Sequence, residues 1–231
     1  MGYASDNGIK AICFDIDGTF YPKWKMDLKL IKASVFHIPF ALKYNRCRKR
    51  IRKDDAFGLY PAMSYDEITR RGALLCFGNS SEHAQKLFRK KEKAVFHDFF
   101  LRSYRNIKPA KGVADALSIA KEEGFKLAAL SDFPIGVKLK AMGIEQYFDF
   151  SISSEDLGHF KPSKTPFAAL SERLLLKPNE ILYVGDSYQK DVLGAKNYGM
   201  HSCLIFSKAG KEYTDADLSV QSWAEFIEKV F

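Results

Sequence analysis

Two carboxylates stand two positions apart near the start of the chain, in an Asp-Ile-Asp-Gly-Thr motif that begins at Asp15. The apolar run before them, residues 9–14, is typical of a buried strand. Side chains two positions apart on a strand project to the same side, but the Gly-Thr pair should end the strand here. We therefore expect Asp15 to stay at the strand end while Asp17 enters the turn. One carboxylate could then attack an electrophile while the other transfers a proton.

Three further polar groups follow in the chain. Two apolar runs, residues 125–130 and 180–184, predict buried strands that are followed by Ser131 and Asp186, and Lys161 lies between them. Ligands of open α/β sheets bind at the carboxyl ends of parallel strands, so these side chains should meet at one edge. An ordinary strand-ending turn would account for the first motif alone, but it would not account for the four sites together.

The four sites, in this order, resemble the motifs of the haloacid dehalogenase (HAD) superfamily of phosphotransferases, and they run from Asp15 to Asp191. The first motif is complete. The second matches through Ser131, the third through Lys161 and the proline after it, and the fourth as the GDSYQKD run of residues 185–191. The resemblance implies an α/β fold, with a Rossmann-like parallel sheet, helices on both of its faces and an inserted all-α cap.

The resemblance also implies a reaction. Phosphatases and phosphomutases of the superfamily keep the second Asp of the first motif, whereas the founding dehalogenases lack it, so Asp17 argues against carbon–halogen cleavage. The implied enzyme is a Mg2+-dependent phosphomonoester hydrolase with an aspartyl-phosphate intermediate. Its implied residues are the nucleophile Asp15, the general acid and base Asp17, the phosphate-binding Ser131, Asp132 and Lys161, the Mg2+ ligands Asp15, Asp186 and the backbone carbonyl of Asp17, and Asp191, which would order a metal-bound water or Lys161.

Some of these assignments have alternatives. Asp132 stands where many relatives carry Asn, so the backbone cradle for phosphate can differ here. Lys164 is a rival for the phosphate-facing lysine, although Lys161 is favoured because the proline after it restrains its backbone. Asp191 could instead be a plain helix-capping residue. The helix after the second motif is expected to have Pro134 in its first turn and to aim its amides at phosphate.

The spacing of the motifs predicts two structural units. Asp15 and Ser131 are separated by 116 positions, far more than a crossover needs, whereas the later motifs follow at 30 and 25 positions. We therefore predict a catalytic core of residues 1–21 and 108–231, with residues 22–107 inserted as a helical cap.

Apolar periodicity and capping patterns indicate that the insert is helical. The predicted helices are residues 27–53, broken near Pro39, a helix that runs from a capping box at residues 64–67 to about Cys76, and a helix capped by Asn79 or Ser80.

Positive charge is concentrated in the insert. Residues 22–107 contain 20 Lys and Arg against 8 Asp and Glu, a net charge of +12, whereas the rest of the chain has −4. The densest cluster is residues 46–53. Two interpretations stay open, a solvated helix face and a positive lid that steers an anionic substrate. The cluster has few of the aromatic residues that stack on bases, which disfavours nucleic acid as a partner.

The composition predicts a cytoplasmic protein. At 231 residues and 46% hydrophobic, the chain can bury one core and a second, smaller unit. The polar N-terminus lacks a signal segment, and no apolar run approaches the eighteen or so residues of a membrane span. The four cysteines show no C-x-x-C spacing, which predicts reduced thiols and argues against a disulfide framework or a zinc site.

Three functions remain open at this point. The first is a phosphatase for a small phosphorylated metabolite such as a nucleotide, a sugar phosphate or phosphoglycolate. A phosphomutase would use the same residues but would have to exclude water from the aspartyl phosphate. A binding protein with a basic cap and a vestigial core is the third, and the presence of every catalytic residue counts against it. The oligomeric state is left open.

Overall fold

A computed structural model of the chain describes residues 2–24, 26, 38–56, 65–98, 104 and 107–231. The strands of the described part are β1 (Ala11–Phe14), β2 (Lys126–Ser131), β3 (Phe150–Ser153), β4 (Ile181–Gly185), β5 (His201–Ile205) and β6 (Leu218–Val220). They form one parallel sheet in the order β3-β2-β1-β4-β5-β6. The three predicted strands are therefore confirmed as β1, β2 and β4, at the centre of the sheet.

Both faces of the sheet are covered. Ile12 and Phe14 of β1 belong to one apolar cluster, together with Trp223. Ala11 and Cys13, which point the other way, belong to a second cluster with Phe167. Because successive side chains of a strand alternate between faces, a strand buried on both sides needs a continuous apolar run. This is the pattern from which β1 was predicted, and the Rossmann-like α/β fold is confirmed.

Helices fill the connections between the strands. In the described part of the chain they are α1 (Tyr3–Asp6), α2 (Ile38–Ala56), α3 (Tyr65–Phe77), α4 (Glu82–Glu92), which continues as a π-helical turn (Lys93–His97), α5 (Val113–Glu122), α6 (Lys138–Ala141), α7 (Lys164–Leu174), α8 (Leu193–Tyr198) and α9 (Trp223–Val230). A second π-helical turn, Tyr188–Val192, precedes α8.

One prediction about the inserted helices was wrong. Ser81, and neither Asn79 nor Ser80, caps α4, because the Ser81 backbone is extended and its Oγ accepts a hydrogen bond from the Ala84 amide at 3.3 Å. Pro39 lies in the first turn of α2 as the described residues define it, where its missing N–H costs nothing. The helix break predicted near Pro39 would involve residues 27–37, which lie outside the described residues, so it stays a prediction.

Other helix predictions have different outcomes. Helix α3 ends at Phe77, one residue after the predicted end. Residues 27–37 and Ser64, with its capping box, lie outside the described residues. No described helix has the length and apolar character that crossing a membrane requires.

The strand order reverses at β1, which lies between β2 and β4. The carboxyl ends of these three strands therefore meet at the switch point, where ligands of open α/β sheets bind. Asp15 follows β1, Ser131 ends β2, and Asp186 follows β4.

Candidate active site

A buried lysine joins two buried carboxylates at the edge of the sheet that is formed by the carboxyl ends of β1, β2 and β4. Lys161 Nζ donates to Asp15 Oδ1 and to Asp191 Oδ1, both at 2.6 Å, and lies 2.9 Å from the hydroxyl of Tyr183. Burial alone would lower the pKa of Lys161, but the two carboxylates outweigh it and raise that pKa well above its usual value. The lysine is therefore held as a cation beside Asp15. Lys164, the rival candidate, is exposed at the start of α7.

Asp15 is fixed at both oxygens. Its Oδ1 accepts from Lys161, and its Oδ2 accepts from the hydroxyl of Thr19 at 3.0 Å. Burial raises the pKa of Asp15 to about 7, against the lowering effect of Lys161. Asp191 and Asp186 raise the pKa further.

Three carboxylates share this edge, and the ammonium of Lys161 contacts two of them. Oxygen atoms of Asp15, Asp186 and Asp191 lie within 4.8 Å of one another. Asp186 Oδ1 is buried and accepts no hydrogen bond from the part of the chain that the structure describes. Burial, and next the charge of Asp191, raises the pKa of Asp186. A hard divalent cation fits this set, because such ions take carboxylate oxygens as ligands and would offset the repulsion among them.

Gly18 lets the first and fourth motifs approach each other. Its φ of 107° lies in the left-handed region, and a Cβ at this position would collide with the Asp186 carboxylate. The glycine of the first motif is therefore required both by the backbone turn and by the carboxylate beside it.

The second carboxylate of the first motif has its own set of donors. Ser131 Oγ and Lys138 Nζ donate to Asp17 Oδ2 at 2.8 and 2.6 Å. The hydroxyl of Tyr21 donates to Asp17 Oδ1 at 2.5 Å, and the hydroxyl of Tyr104 donates to the same oxygen. Burial would raise the pKa of Asp17, but Lys138 and these donors outweigh it and hold the pKa well below its usual range. Asp17 is thus a carboxylate in this arrangement.

The carboxylate of Asp132 contacts the third motif and α2. Its Oδ1 accepts from the Lys161 amide at 3.0 Å, and its Oδ2 accepts from Arg52 Nη2 at 2.9 Å. Burial would raise the pKa of Asp132, but Arg52 and next Lys161 outweigh it and hold the pKa well below its usual range. These two contacts of Asp132 connect the second motif to the third motif and to α2.

Arg48, also on α2, is buried against the same loops. Its guanidinium lies 4.1 Å from the ring centroid of Phe133 and 4.0 Å from that of Phe160. Its Nη2 donates to the Asp132 carbonyl at 2.7 Å, and its Nη1 lies 3.7 Å from Glu155. The basic cluster is therefore divided. Arg48 and Arg52 contact the active-site loops, whereas Arg46, Lys49, Arg50 and Lys53 are exposed.

The helix after the second motif differs from expectation. Helix α6 begins at Lys138, so Pro134 lies in the turn before it and not in its first turn. Gly136 in that turn has a φ of 44°, a left-handed conformation that interrupts a helix. The structure thus places Lys138 at the helix start, facing Asp17.

The structure brings the predicted residues together at one edge of the sheet, but sequence reasoning missed several neighbours. The missed residues are Thr19, Tyr104, Lys138, Arg48 and Arg52. Thr19 is part of the first motif, and the two arginines are part of the basic cluster. No pattern in the sequence indicates the contacts that these three side chains make. A lysine seven positions after Ser131 was visible, although nothing local marked it as buried.

Comparison with known proteins identifies relatives. The family model for haloacid dehalogenase-like hydrolases matches residues 9–199. A curated glyceraldehyde 3-phosphate phosphatase of Methanopyrus kandleri is 31% identical over 215 residues, which cover 85% of this chain and 84% of that protein.

Solved structures show the same fold. A HAD phosphatase from Thermococcus onnurineus is 23% identical with a TM-score of 0.58. The L-2-haloacid dehalogenase of Xanthobacter autotrophicus is 20% identical with a TM-score of 0.63. Each match covers 95% of this chain and 97% of the other, and at these identities it shows the fold alone.

Proposed function

This chain belongs to the haloacid dehalogenase-like hydrolase family as one of its phosphatases, and we propose that it hydrolyses a small phosphomonoester through an aspartyl phosphate on Asp15, with Mg2+ as its cofactor. The observation that carries the proposal is the buried Lys161, which holds Asp15 at the switch point beside two further carboxylates.

In the first half-reaction an Asp15 carboxylate oxygen attacks phosphorus and the bond from phosphorus to the ester oxygen breaks. The leaving oxygen takes a proton from Asp17, and Asp15 becomes an aspartyl phosphate. Ser131 donates a hydrogen bond to a phosphoryl oxygen, and Lys161 supplies fixed positive charge. Ser131 ends β2, and Lys161 contacts Asp15 Oδ1 from the loop before α7, so both donors lie near the proposed nucleophile.

In the second half-reaction Asp17 takes a proton from a water that attacks phosphorus. The bond from phosphorus to Asp15 then breaks and inorganic phosphate leaves. Asp17 is held as a carboxylate in the structure, which is the form that this step needs. The first half-reaction needs the protonated form, so Asp17 must gain a proton when a substrate replaces its present partners.

We assign the cation to Asp15, Asp186 and the backbone carbonyl of Asp17. Bound there, Mg2+ would supply the positive charge that lets an anionic carboxylate approach an anionic phosphate. Asp191 supports this set through Lys161. Its buried Oδ1 accepts a hydrogen bond from Lys161 Nζ at 2.6 Å.

We also propose that the insert of residues 22–107 is a cap over the catalytic edge. Support comes from α2, whose Arg48 and Arg52 reach the loops that follow β2 and precede α7. A cap seated there would enclose the catalytic edge, and the leaving group of the substrate would be recognised between the cap and the core.

The proposal is tested by phosphate release from a panel of phosphomonoesters with Mg2+. A triose phosphate stands first on the panel because of the relative from Methanopyrus kandleri, followed by phosphoglycolate, hexose phosphates and nucleotides. We expect multiple turnovers without any bisphosphate activator, which would distinguish a phosphatase from a phosphomutase.

Asp15→Asn is the control for the panel, because it removes the nucleophile while keeping the shape of the side chain. It should lower turnover at least about a thousandfold in a protein that is still folded. Turnover of Asp15→Asn near that of the parent would contradict the mechanism, and a panel without any phosphate release would contradict the function.

A further inference from the structure

Lys138 is a buried lysine at the active site that none of the four motifs contains. Only 1% of its surface is exposed, and its Nζ lies 2.6 Å from Asp17 Oδ2 and 3.2 Å from Ser131 Oγ. The ammonium also lies beside two aromatic rings, 5.1 Å from the centroid of Tyr104 and 5.7 Å from that of Phe133. A buried ammonium is costly unless an anion compensates it, so this position is built for a negative charge.

Two donors converge on one oxygen of Asp17. Ser131 Oγ and Lys138 Nζ both donate to Asp17 Oδ2, at 2.8 and 2.6 Å. Under the proposed function, Ser131 donates to a phosphoryl oxygen once the substrate is bound. The carboxylate oxygen that Ser131 now contacts therefore occupies the place of that phosphoryl oxygen, and Lys138 contacts the same place.

We infer that Lys138 is a second phosphoryl-binding lysine, which donates with Ser131 to one oxygen of the substrate's phosphoryl group. The inference rests on the proposed function. Asp17 holds the two donors in the absence of substrate, and a phosphate dianion, with more charge and more acceptor oxygens, displaces it. Lys138 then acts on the phosphoryl group from the side of Ser131, while Lys161 acts from the side of Asp15.

The competing interpretation is that Lys138 only neutralises Asp17. In that case its loss would still weaken phosphate binding, because an unpaired Asp17 carboxylate would repel the anion. The two interpretations differ once the charge of Asp17 is removed. A double-mutant cycle between Lys138→Met and Asp17→Asn therefore separates them.

The measurement is the dissociation constant of inorganic phosphate, determined by isothermal titration calorimetry in Mg2+ buffer. In the Asp17→Asn background, Lys138→Met should weaken phosphate binding roughly tenfold or more, as expected for one charge-assisted hydrogen bond. Lys140→Met, an exposed lysine on the same helix α6, is the matched control and should leave the constant unchanged.

An unchanged constant for Lys138→Met in the Asp17→Asn background would overturn the inference. Lys138→Gln is a second uncharged variant for the case in which Lys138→Met does not fold, and it is held to the same criterion. The proposed function fails separately, if the parent protein neither binds inorganic phosphate nor releases it from any ester. Phosphate binding by the parent and by Asp17→Asn therefore shows which of the two conclusions has failed.

Discussion

Asp17 is surrounded by more donors than a general acid and base needs. Two tyrosine hydroxyls contact its Oδ1, and Ser131 and Lys138 contact its Oδ2. Once Ser131 and Lys138 donate to a substrate instead, as we propose, the two tyrosine hydroxyls still hold the Asp17 carboxylate beside the proposed phosphoryl position, which favours proton transfer to or from an oxygen on that phosphorus.

The role of Asp17 in the first half-reaction depends on the leaving group. Asp17→Asn should slow the release of an alkyl alcohol at least about a hundredfold, because an alkoxide needs a proton. The burst of p-nitrophenol from p-nitrophenyl phosphate should fall much less, since this phenolate leaves without a proton. Single-turnover measurements with both esters check the difference. Equal losses for both esters would contradict a role for Asp17 as general acid.

Asp186 should destabilise the metal-free protein. Its Oδ1 is buried without a hydrogen bond from the described residues, and burial together with Asp191 raises its pKa, so the charged form is disfavoured in the fold. Above that pKa, Asp186→Asn should therefore raise the melting temperature in EDTA by a few degrees. Mg2+ should stabilise the parent but not the variant. Glu228→Gln, which removes an exposed carboxylate, should change neither value. A melting temperature lowered by Asp186→Asn would contradict this reasoning.

At the scale of elements, α2 connects the insert to the loops of the candidate site. Arg48 lies between the rings of Phe133 and Phe160, and Arg52 pairs with Asp132. Asp132 also accepts a hydrogen bond from the Lys161 amide, so one carboxylate connects α2 to the loop that carries Lys161.

The pairing of Arg52 with Asp132 predicts an acid-dependent stability. The fold lowers the pKa of Asp132. The pairing therefore contributes its full stabilisation above about pH 4, the pKa of this carboxyl in the unfolded chain, and this stabilisation is lost as the pH falls toward the pKa in the folded protein. Arg52→Gln should therefore cost roughly 1–2 kcal/mol at pH 7, and less as the pH drops below about 4. Urea unfolding across this range checks the trend, with the exposed neighbour Lys53→Gln as control. A cost that is the same at all pH values would contradict the assignment.

At the scale of the whole molecule, the described positive charge of α2 lies in two different environments. Arg48 and Arg52 make fixed contacts to the loops of the site. Arg46, Lys49 and Arg50 of the same helix are exposed, and exposed charges act on a distant ion mainly through the long-range field.

Neutralising Arg46, Lys49 and Arg50 to Gln should lower kcat/KM about two- to fivefold at low ionic strength and leave kcat unchanged. The reason is that screened, distant charges alter the encounter with an anionic substrate more than the chemical step. Steady-state kinetics across a salt series would show the effect fading as salt rises. As a comparison, Lys208→Gln and Lys211→Gln together remove two exposed positive charges that lie outside the insert. Overlapping salt profiles for the triple variant and the parent would leave these residues as a solvated helix face.

The central strands and their end residues could be predicted from the sequence because both signals are local. A doubly buried strand needs a continuous apolar run, and the residue that follows it lies at the sheet edge wherever the strand ends. Asp15, Ser131 and Asp186 were placed in this way. The choice of Lys161 over Lys164 also depended on local information, the proline that follows it.

The partners of Asp17 and Asp132 were decided by tertiary structure alone. The contacts of Asp17 with Lys138 and of Asp132 with Arg52 join residues 121 and 80 positions apart. A lysine or arginine on a short segment has the same sequence pattern whether it is solvated or buried against a carboxylate. Only the packing of α2 and α6 against the sheet edge removes water from these cations, and with the water gone they must pair with the anions at the site.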